Sequence, residues 1–225
     1  MEHSVRVLER VRAQAQAILV SFSGGKDSLV CMDLATDVFG RGNVVGYFMY
    51  FVRGLSYETK QLDYARKRWG VEILQYPHPD LALAIKTGAY RFAPEPKRKL
   101  FKLKDVERRV RIDTGLHWIV NGARQADSRD RCVMLRTYED EAIYEKGGRV
   151  FPISKWKDRE VLAYMKHHRI PVPQVFKGNV KMSGTGLGGR ALAAIMEQYP
   201  EDYRKILKVF PLAGNAVARL KLHGV

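Results

Sequence analysis

The stretch AILVSFSGGKDS, at residues 17–28, decides the fold class of this chain. Its first six residues are apolar enough to form a short buried strand, and the apolar spacing from Ser28 to Phe39 predicts a helix. The turn between them, Ser23 to Ser28, consists mostly of small residues, so its backbone can wrap around an anion. Several N–H groups point inward where such a turn enters a helix, and we therefore predict that it binds phosphate or a similar anion.

The side chains of this turn suit the same chemistry. The hydroxyls of Ser23 and Ser28 can add hydrogen-bond donors, and Lys26 can neutralise phosphate charge. Asp27 can either hold a magnesium ion or orient the turn. The spacing G-x-x-x-x-G-K-[ST] of the ordinary P-loop is absent, which indicates a different phosphate loop. The simpler alternative is a Gly-rich turn that only caps a helix.

Strands and helices alternate after this stretch. Val44 to Val52 and Val71 to Gln75 have the composition of buried strands, and Ser56 can cap a helix that runs to Trp69 between them. Units of this kind predict an α/β fold: a mostly parallel sheet flanked by helices, with right-handed crossovers. Further predicted elements are a helix at 81–92, a basic helix from Lys97 to Gly115, strands at Trp118–Val120 and Phe151–Ile153, a helix from Lys157 to His168 and a helical C-terminal extension.

Length and composition limit the class of protein. The chain has 225 residues, of which 46% are hydrophobic and 28% charged, which is typical of one globular domain with or without a small appendage. Two cysteines, Cys31 and Cys132, cannot build a disulfide framework or a four-cysteine zinc site, so we expect reduced thiols in a cytoplasmic protein. We see no secretory signal or membrane span, and we expect no membrane partner.

Charge indicates the kind of partner. Lys and Arg number 39 against 24 Asp and Glu, a net charge of +15, which favours polyanions such as nucleic acid or a phosphate-rich or sulfate-rich substrate. The alternative is charge that only keeps the protein soluble. Phe101, within the basic run, can stack on a base or be buried. The run contains Lys97, Arg98, Lys99, Lys102, Lys104, Arg108, Arg109 and Arg111.

The turn SGGKDS resembles the SGGxDS motif of the PP-loop ATP pyrophosphatases, which cut ATP between its α- and β-phosphates. Later segments resemble those of the phosphoadenosine phosphosulfate (PAPS) reductase family, in the family's order over about residues 15–176. The resemblance implies an adenine nucleotide alpha-hydrolase-like domain at 1–176 and an extension at 177–225. The matching segments are Leu55–Thr59, Asn121–Arg124 followed by Asp127, Ser128 and Arg131, Phe151–Trp156, Asp158–Tyr164 and Ile170–Pro173.

The resemblance also implies a set of site residues. Lys26, Asp27, Arg124 and Arg131 would be catalytic, with Asp27 also holding Mg2+. The two arginines would hold the second substrate or the developing charge, although Arg124 could instead form a surface salt bridge. The nucleotide, ATP or PAPS, would be bound by Ser21, Ser23, Gly24, Gly25, Lys26, Asp27, Ser28, Gly122 and Arg124.

One departure from the family decides between activities. PAPS reductases attack with a C-terminal cysteine, and this sequence has none after Cys132, while its intact SGGKDS turn favours ATP. We therefore expect Mg-dependent adenylyl transfer to an oxyanion or a nucleic-acid substrate, with sulfur transfer as one use and no iron–sulfur cluster. The alternatives are a PAPS-binding reductase or sulfotransferase-like enzyme and a nucleic-acid-binding protein with ATP as ligand. Expected partners are an adenine nucleotide, tRNA or DNA, a sulfur-donor protein and a second copy of the chain.

The Gly-rich stretch at 184–189 fits G-x-G-x-x-G. It lacks the surrounding strand–helix–strand unit of a dinucleotide fingerprint. We predict a loop that closes over the substrate, with a plain linker as the alternative.

Overall fold

The protein is described here by a computed structural model covering residues 1–172 and 188–223. The chain divides into two compact units. The first comprises Met1–Phe48, Leu62–Leu74 and Val110–Pro173, and the second comprises Met49–Gln61, Gln75–Arg109 and Gln174–Val225. The predicted domain boundary, between residues 176 and 177, lies outside the described residues.

A mostly parallel sheet confirms the predicted α/β class. The strand order is β3-β2-β1-β4-β6-β5. β1 pairs in parallel with β2 and with β4, β4 pairs in parallel with β6, and β5 runs antiparallel to β6. Leu19 lies opposite Val45 on one side and Ile119 on the other, so β1 is central. The strands are β1 (Ile18–Ser21), β2 (Val44–Tyr50), β3 (Glu72–Pro77), β4 (Ile119–Val120), β5 (Ile143–Tyr144) and β6 (Arg149–Val150).

The helices follow the apolar pattern of the sequence. In α1, Val7, Leu8 and Val11 form one buried face, as their helical spacing predicts. α2 is buried along most of its length and ends at Gly40, whose φ of +85° suits glycine. The helices are α1 (Glu2–Arg12), α2 (Lys26–Phe39), α3 (Ser56–Trp69), α4 (Pro79–Thr87), α5 (Leu103–Thr114), α6 (Arg129–Arg136), α7 (Asp158–His167), α8 (Gly189–Gln198), α9 (Pro200–Val209) and α10 (Gly214–His223).

Three predicted elements differ from the structure. The basic helix begins at Leu103 rather than Lys97, because Asp105 accepts the Lys102 N–H at 2.8 Å and so caps the helix there. The helix predicted at 81–92 ends at Thr87, where Gly88 takes a left-handed conformation. The strand predicted at Phe151–Ile153 is a turn, and the sheet is formed instead by the preceding Arg149–Val150.

The second unit has an apolar core of its own. Leu192, Ile195, Ile206 and Phe210 of the C-terminal helices are buried there together with Leu55 and other residues that precede or begin α3. Asp202, at the start of α9, is also buried. Its Oδ2 atom accepts the Ser56 N–H at 2.6 Å and the Ser56 hydroxyl at 2.7 Å. A side chain distant in sequence therefore caps α3.

Candidate functional site

The predicted phosphate turn lies at the carboxyl end of the central strand β1. The segment Asn121–Arg124 lies at the carboxyl end of β4, which is the parallel neighbour of β1. The chain crosses from β1 to β2 on one side and reaches β4 on the other, so the point between β1 and β4 is a topological switch point. Ligands of open α/β sheets bind at such points because the two following connections diverge there.

The turn has the geometry of an anion cradle. Gly24 has a φ of +73°, a conformation that favours glycine, and Gly25 is the N-cap residue of α2. The Ser28 hydroxyl donates to the Gly25 carbonyl at 2.9 Å and accepts from the Ser23 hydroxyl at 3.3 Å, which holds the turn closed. Within the described residues no side chain caps α2, so its first N–H groups can serve a ligand.

Four charged side chains meet beside this turn. Lys26 Nζ lies 2.8 Å from Asp27 Oδ2 and 3.1 Å from Asp158 Oδ1. Arg124 places Nε 3.2 Å from Asp27 Oδ1 and Nη1 2.9 Å from Asp158 Oδ1. Two carboxylates thus share the same two cations. The hydrogen bond from Lys26 and the nearby positive charge of Arg124 hold the pKa of Asp158 below its ordinary value, so this carboxylate stays ionised.

Arg124 is the buried centre of the group. Its side chain is only 6% exposed, so the ion pairs that it forms are buried and do not match the surface salt bridge considered for it. Its Nη2 atom donates to Asp127 Oδ1 at 2.8 Å. Nε and Nη1 are buried and, although within ion-pair distance of carboxylates, make no hydrogen bond of acceptable geometry among the described residues. Buried N–H groups left in this way are donors suited to an oxyanion.

Asp127 links the two predicted arginines. It accepts the Arg124 N–H at 2.9 Å and the Arg131 guanidinium at 2.6 Å. Although burial alone raises the pKa of Asp127, these bonds outweigh it and hold that pKa below its ordinary value. Arg131 is half exposed, and its side chain contacts Asp127 rather than a residue of the phosphate turn. The structure therefore brings Arg124 to the turn directly and Arg131 only through Asp127.

Gly122 and Ser21 complete the set of predicted residues. A Cβ atom on Gly122 would lie 3.3 Å from both the carbonyl carbon and the Cβ of Asp27, which shows how closely the two loops approach. Ser21 is the last residue of β1 and is partly buried. It pairs with Tyr47 of β2 in the sheet, so it lies just before the turn.

Asp158 and Asp33 are polar residues that we did not select from the sequence. Asp158 begins α7 and is the first residue of the matching segment Asp158–Tyr164, which was the available signal. Asp33, inside α2, is buried and accepts hydrogen bonds from Trp69 Nε1 at 2.7 Å and the Tyr164 hydroxyl at 2.9 Å. His168 Nδ1 lies 2.9 Å from Asp33, so this carboxylate ties α2 to α7. No local pattern indicated that link.

The indole of Trp156 and the thiol of Cys31 are both packed in the core. Trp156 is buried and packs against Tyr164. Cys31 is fully buried, and burial raises the pKa of its thiol, which suppresses the thiolate. Cys132 is partly exposed, with its sulfur 3.8 Å from Gln125 Oε1.

The Gly-rich stretch at 184–189 lies outside the described residues except for Gly188 and Gly189.

The chain is similar to a known protein family and to relatives of low sequence identity. Residues 17–186 match the family described as the phosphoadenosine phosphosulfate reductase domain. Sulfate adenylyltransferase subunit 2 of Methylobacterium nodulans is 22% identical over 197 residues, which cover 77% of this chain and 62% of that protein. The same subunit of Methylobacterium sp. strain 4-46 is 21% identical over the same shares. The chain thus spans less than two thirds of these relatives.

A solved structure supports the fold alone. The NH3-dependent NAD synthetase of Campylobacter jejuni, in complex with nitrate, aligns with a TM-score of 0.50 and 14% identity. The alignment covers 100% of this chain and 94% of that one. The sheet is therefore of the adenine nucleotide alpha-hydrolase type. Among the described residues no helix is both long and apolar enough to cross a membrane.

Proposed function

Because the chain belongs to the phosphoadenosine phosphosulfate reductase domain family, we propose that it transfers the adenylyl group of ATP to an oxyanion and releases pyrophosphate. One observation carries the proposal: the intact turn SGGKDS lies beside the buried guanidinium of Arg124, whose Nε and Nη1 atoms lie near the carboxylates of Asp27 and Asp158 without a hydrogen bond to them. A phosphate cradle and a buried cation at one switch point suit a reaction that separates charged phosphoryl groups.

The chemistry assigns different tasks to these groups. An acceptor oxygen attacks the α-phosphorus, and the bond from that phosphorus to the oxygen shared with the β-phosphate breaks. The electron pair of that bond leaves with pyrophosphate. The N–H groups of the turn and Lys26 bind the departing β- and γ-phosphates, where negative charge increases. Arg124, held by Asp127, neutralises the oxygens at the reacting phosphorus or on the acceptor.

Magnesium fits the donor set of the site. Mg2+ is usually bound in proteins by one or two carboxylates together with substrate phosphates and water. Asp27 and Asp158 provide such carboxylates, and Asp158 uses a single oxygen, Oδ1, for both of its cations. The ion would neutralise phosphate charge when it is bound. Asp27 and Asp158 would then exchange contacts with Lys26 and Arg124 for contacts with the metal, which frees both cations for phosphate.

The relatives suggest an acceptor and a partner. Their name includes sulfate adenylyltransferase, so sulfate is the first acceptor to test. The word subunit in that name implies a second chain, and we propose that this protein also works with one. Sulfate suits the site because a guanidinium binds tetrahedral oxyanions through two N–H groups at once.

Reduction of PAPS is the weaker alternative. It requires a thiolate nucleophile, and Cys31 is buried with a raised pKa. Cys132 lies in α6 and is partly exposed. The PAPS alternative therefore predicts that any thiol comes from a partner protein, whereas adenylyl transfer needs no thiol.

The test is turnover of ATP labelled at the α-phosphate, with Mg2+, in the presence and absence of sulfate, tRNA and DNA. Labelled AMP or an AMP adduct, together with pyrophosphate, is the expected result, and the stimulating additive identifies the acceptor. The variant Asp27→Ala with Ser28→Ala should lose this activity, while Asp130→Ala, which removes an exposed carboxylate from α6, should retain it. Labelled ADP as the product, or equal loss in both variants, would contradict the proposal.

A further inference from the structure

A basic surface in the second unit has no role in the site described above. It consists of residues 91–108, called here the basic segment, with seven basic and three acidic residues. The residues from Arg91 to Lys102 form turns and irregular backbone, and α5 begins at Leu103. An open backbone of this kind can follow an extended ligand more closely than a regular helix can.

The cations of the basic segment are mostly unneutralised. Glu95 binds Arg91 at 2.8 Å, Asp105 caps α5 and lies 3.7 Å from Arg108, and Glu107 is buried. No acidic side chain among the described residues forms an ion pair with the other five cations, all of them exposed. These are Lys97, Arg98, Lys99, Lys102 and Lys104. A row of exposed cations without counter-charges attracts a polyanion and releases its counterions.

Exposed apolar side chains lie among these cations. Phe92 is 82% exposed, Leu100 45% and Leu103 42%. Phe101, the aromatic residue that the sequence indicated, is partly buried, so Phe92 is the better stacking group. Exposed apolar side chains that lie together often mark an interaction site, and the cations around them favour a polyanionic partner. Bases of an unpaired strand offer faces for such a ring, beside phosphates for the cations.

We propose that the basic segment binds a single-stranded nucleic acid, with Phe92 stacked on a base and Lys97, Lys99 and Lys102 on phosphates. A membrane surface is the competing partner. Insertion would require a continuous apolar helix face turned outward, but α5 buries Val106 and Val110. Its exposed apolar residues, Leu103 and Ile112, are interspersed with exposed cations such as Lys104 and Arg108. Binding does not depend on ATP turnover and therefore stands or falls separately from the proposed reaction.

The experiment measures fluorescence anisotropy of short labelled single-stranded RNA and DNA with the whole protein, without ATP, between about 50 and 200 mM salt. The triple variant tests the phosphate contacts and combines Lys97→Ala, Lys99→Ala and Lys102→Ala. Its slope of log K against log salt concentration should be less steep by about 2, because each phosphate contact on a single strand contributes about 0.7 to that slope. Phe92→Ala should weaken binding about 5- to 100-fold with an unchanged slope, and Phe92→Trp should restore it. The RNA and DNA arms show which strand is preferred.

The charge-matched control is a triple substitution of exposed cations elsewhere: Arg6→Ala, Lys146→Ala and Lys208→Ala. It should bind as the parent protein does, and ATP affinity should be unchanged in every variant. Equal weakening in both triple variants, or no effect of Phe92→Ala, would overturn the proposal. Binding to phosphatidylserine vesicles with none to either strand would assign the surface to a membrane and would overturn it too.

Discussion

The Asp158 carboxylate lies 2.9 Å from the Nη1 atom of Arg124, although the two residues are 34 positions apart and follow different strands, β6 and β4. The same oxygen lies 3.1 Å from Lys26 Nζ. Asp158 is 69% exposed, whereas Arg124 is buried, so an outer carboxylate covers an inner cation. A phosphate that approaches this cation has to displace that carboxylate or share it with a metal.

Asp158→Asn tests this competition. Without Mg2+, the variant should bind ATP or pyrophosphate more tightly than the parent protein, because a negative charge beside Lys26 and Arg124 is removed. With Mg2+, turnover should fall about tenfold or more, because a metal-binding carboxylate is lost. Titration calorimetry with and without Mg2+ measures the first effect. Asp130→Asn is the matched control, and weaker metal-free binding by Asp158→Asn would contradict the interpretation.

Arg124→Lys tests the guanidinium. Lysine keeps the charge but lacks the planar fork that reaches Asp27, Asp127 and Asp158 at once. We expect kcat/KM for ATP to fall by about 10²- to 10³-fold, the size of effect seen when one donor to a developing charge is removed. Thermal unfolding of the same samples separates this loss from misfolding. A fully active Arg124→Lys enzyme would show that only the charge matters.

Gly122→Ala tests the close approach of the two loops. The new Cβ would lie 3.3 Å from Asp27 and must push the end of the phosphate turn, where α2 begins, by a few tenths of an ångström. We therefore expect a raised KM for ATP in a protein that still folds, since a small displacement of a binding loop has a large effect on geometry. Gly42→Ala adds the same methyl where nothing lies within 4 Å, and its KM should not change. A similar KM in both variants would count against the proposed turn.

Glu58 should make stability depend on pH. Burial raises the pKa of its carboxyl from 4.5 to about 8. Between pH 4.5 and about pH 8, the folded protein therefore keeps the proton on Glu58 while the unfolded chain releases it. The contribution of Glu58 is fully present below pH 4.5 and is lost as pH rises to about 8, by up to about 1.4 kcal/mol per pH unit.

Urea unfolding of the parent protein and of Glu58→Gln across this range measures the effect. The difference in free energy of unfolding should move in favour of Glu58→Gln as pH rises and should become constant above about pH 8. Tyr57, whose hydroxyl lies 3.5 Å from Glu58, should be kept unchanged in both proteins. A difference that is constant with pH would show that Glu58 is ionised in the folded state.

Local patterns were enough to predict the strand–turn–helix at residues 17–39 and the helix from Ser56 to Trp69. Both depend on neighbours in sequence: a short apolar run, small residues in the turn, a helical spacing and a terminating glycine. The parallel sheet follows from such units because crossovers have a fixed hand. The start of α5 was missed because the Asp105 cap, a single hydrogen bond to Lys102, outweighed the helix-forming composition upstream.

The sequence by itself determined the α/β class, the phosphate turn and the candidate roles of Lys26, Asp27 and Arg124. Only the tertiary structure decided that Asp158 covers Lys26 and Arg124, that Asp127 links Arg131 to Arg124, and that Asp202 caps a helix 146 residues away. The physical reason is that apolar spacing and helix or strand hydrogen bonds depend on residues close in sequence. An ion pair between distant segments depends instead on the order of the strands and on how closely their backbones approach. Gly122 packed against Asp27 sets that approach here.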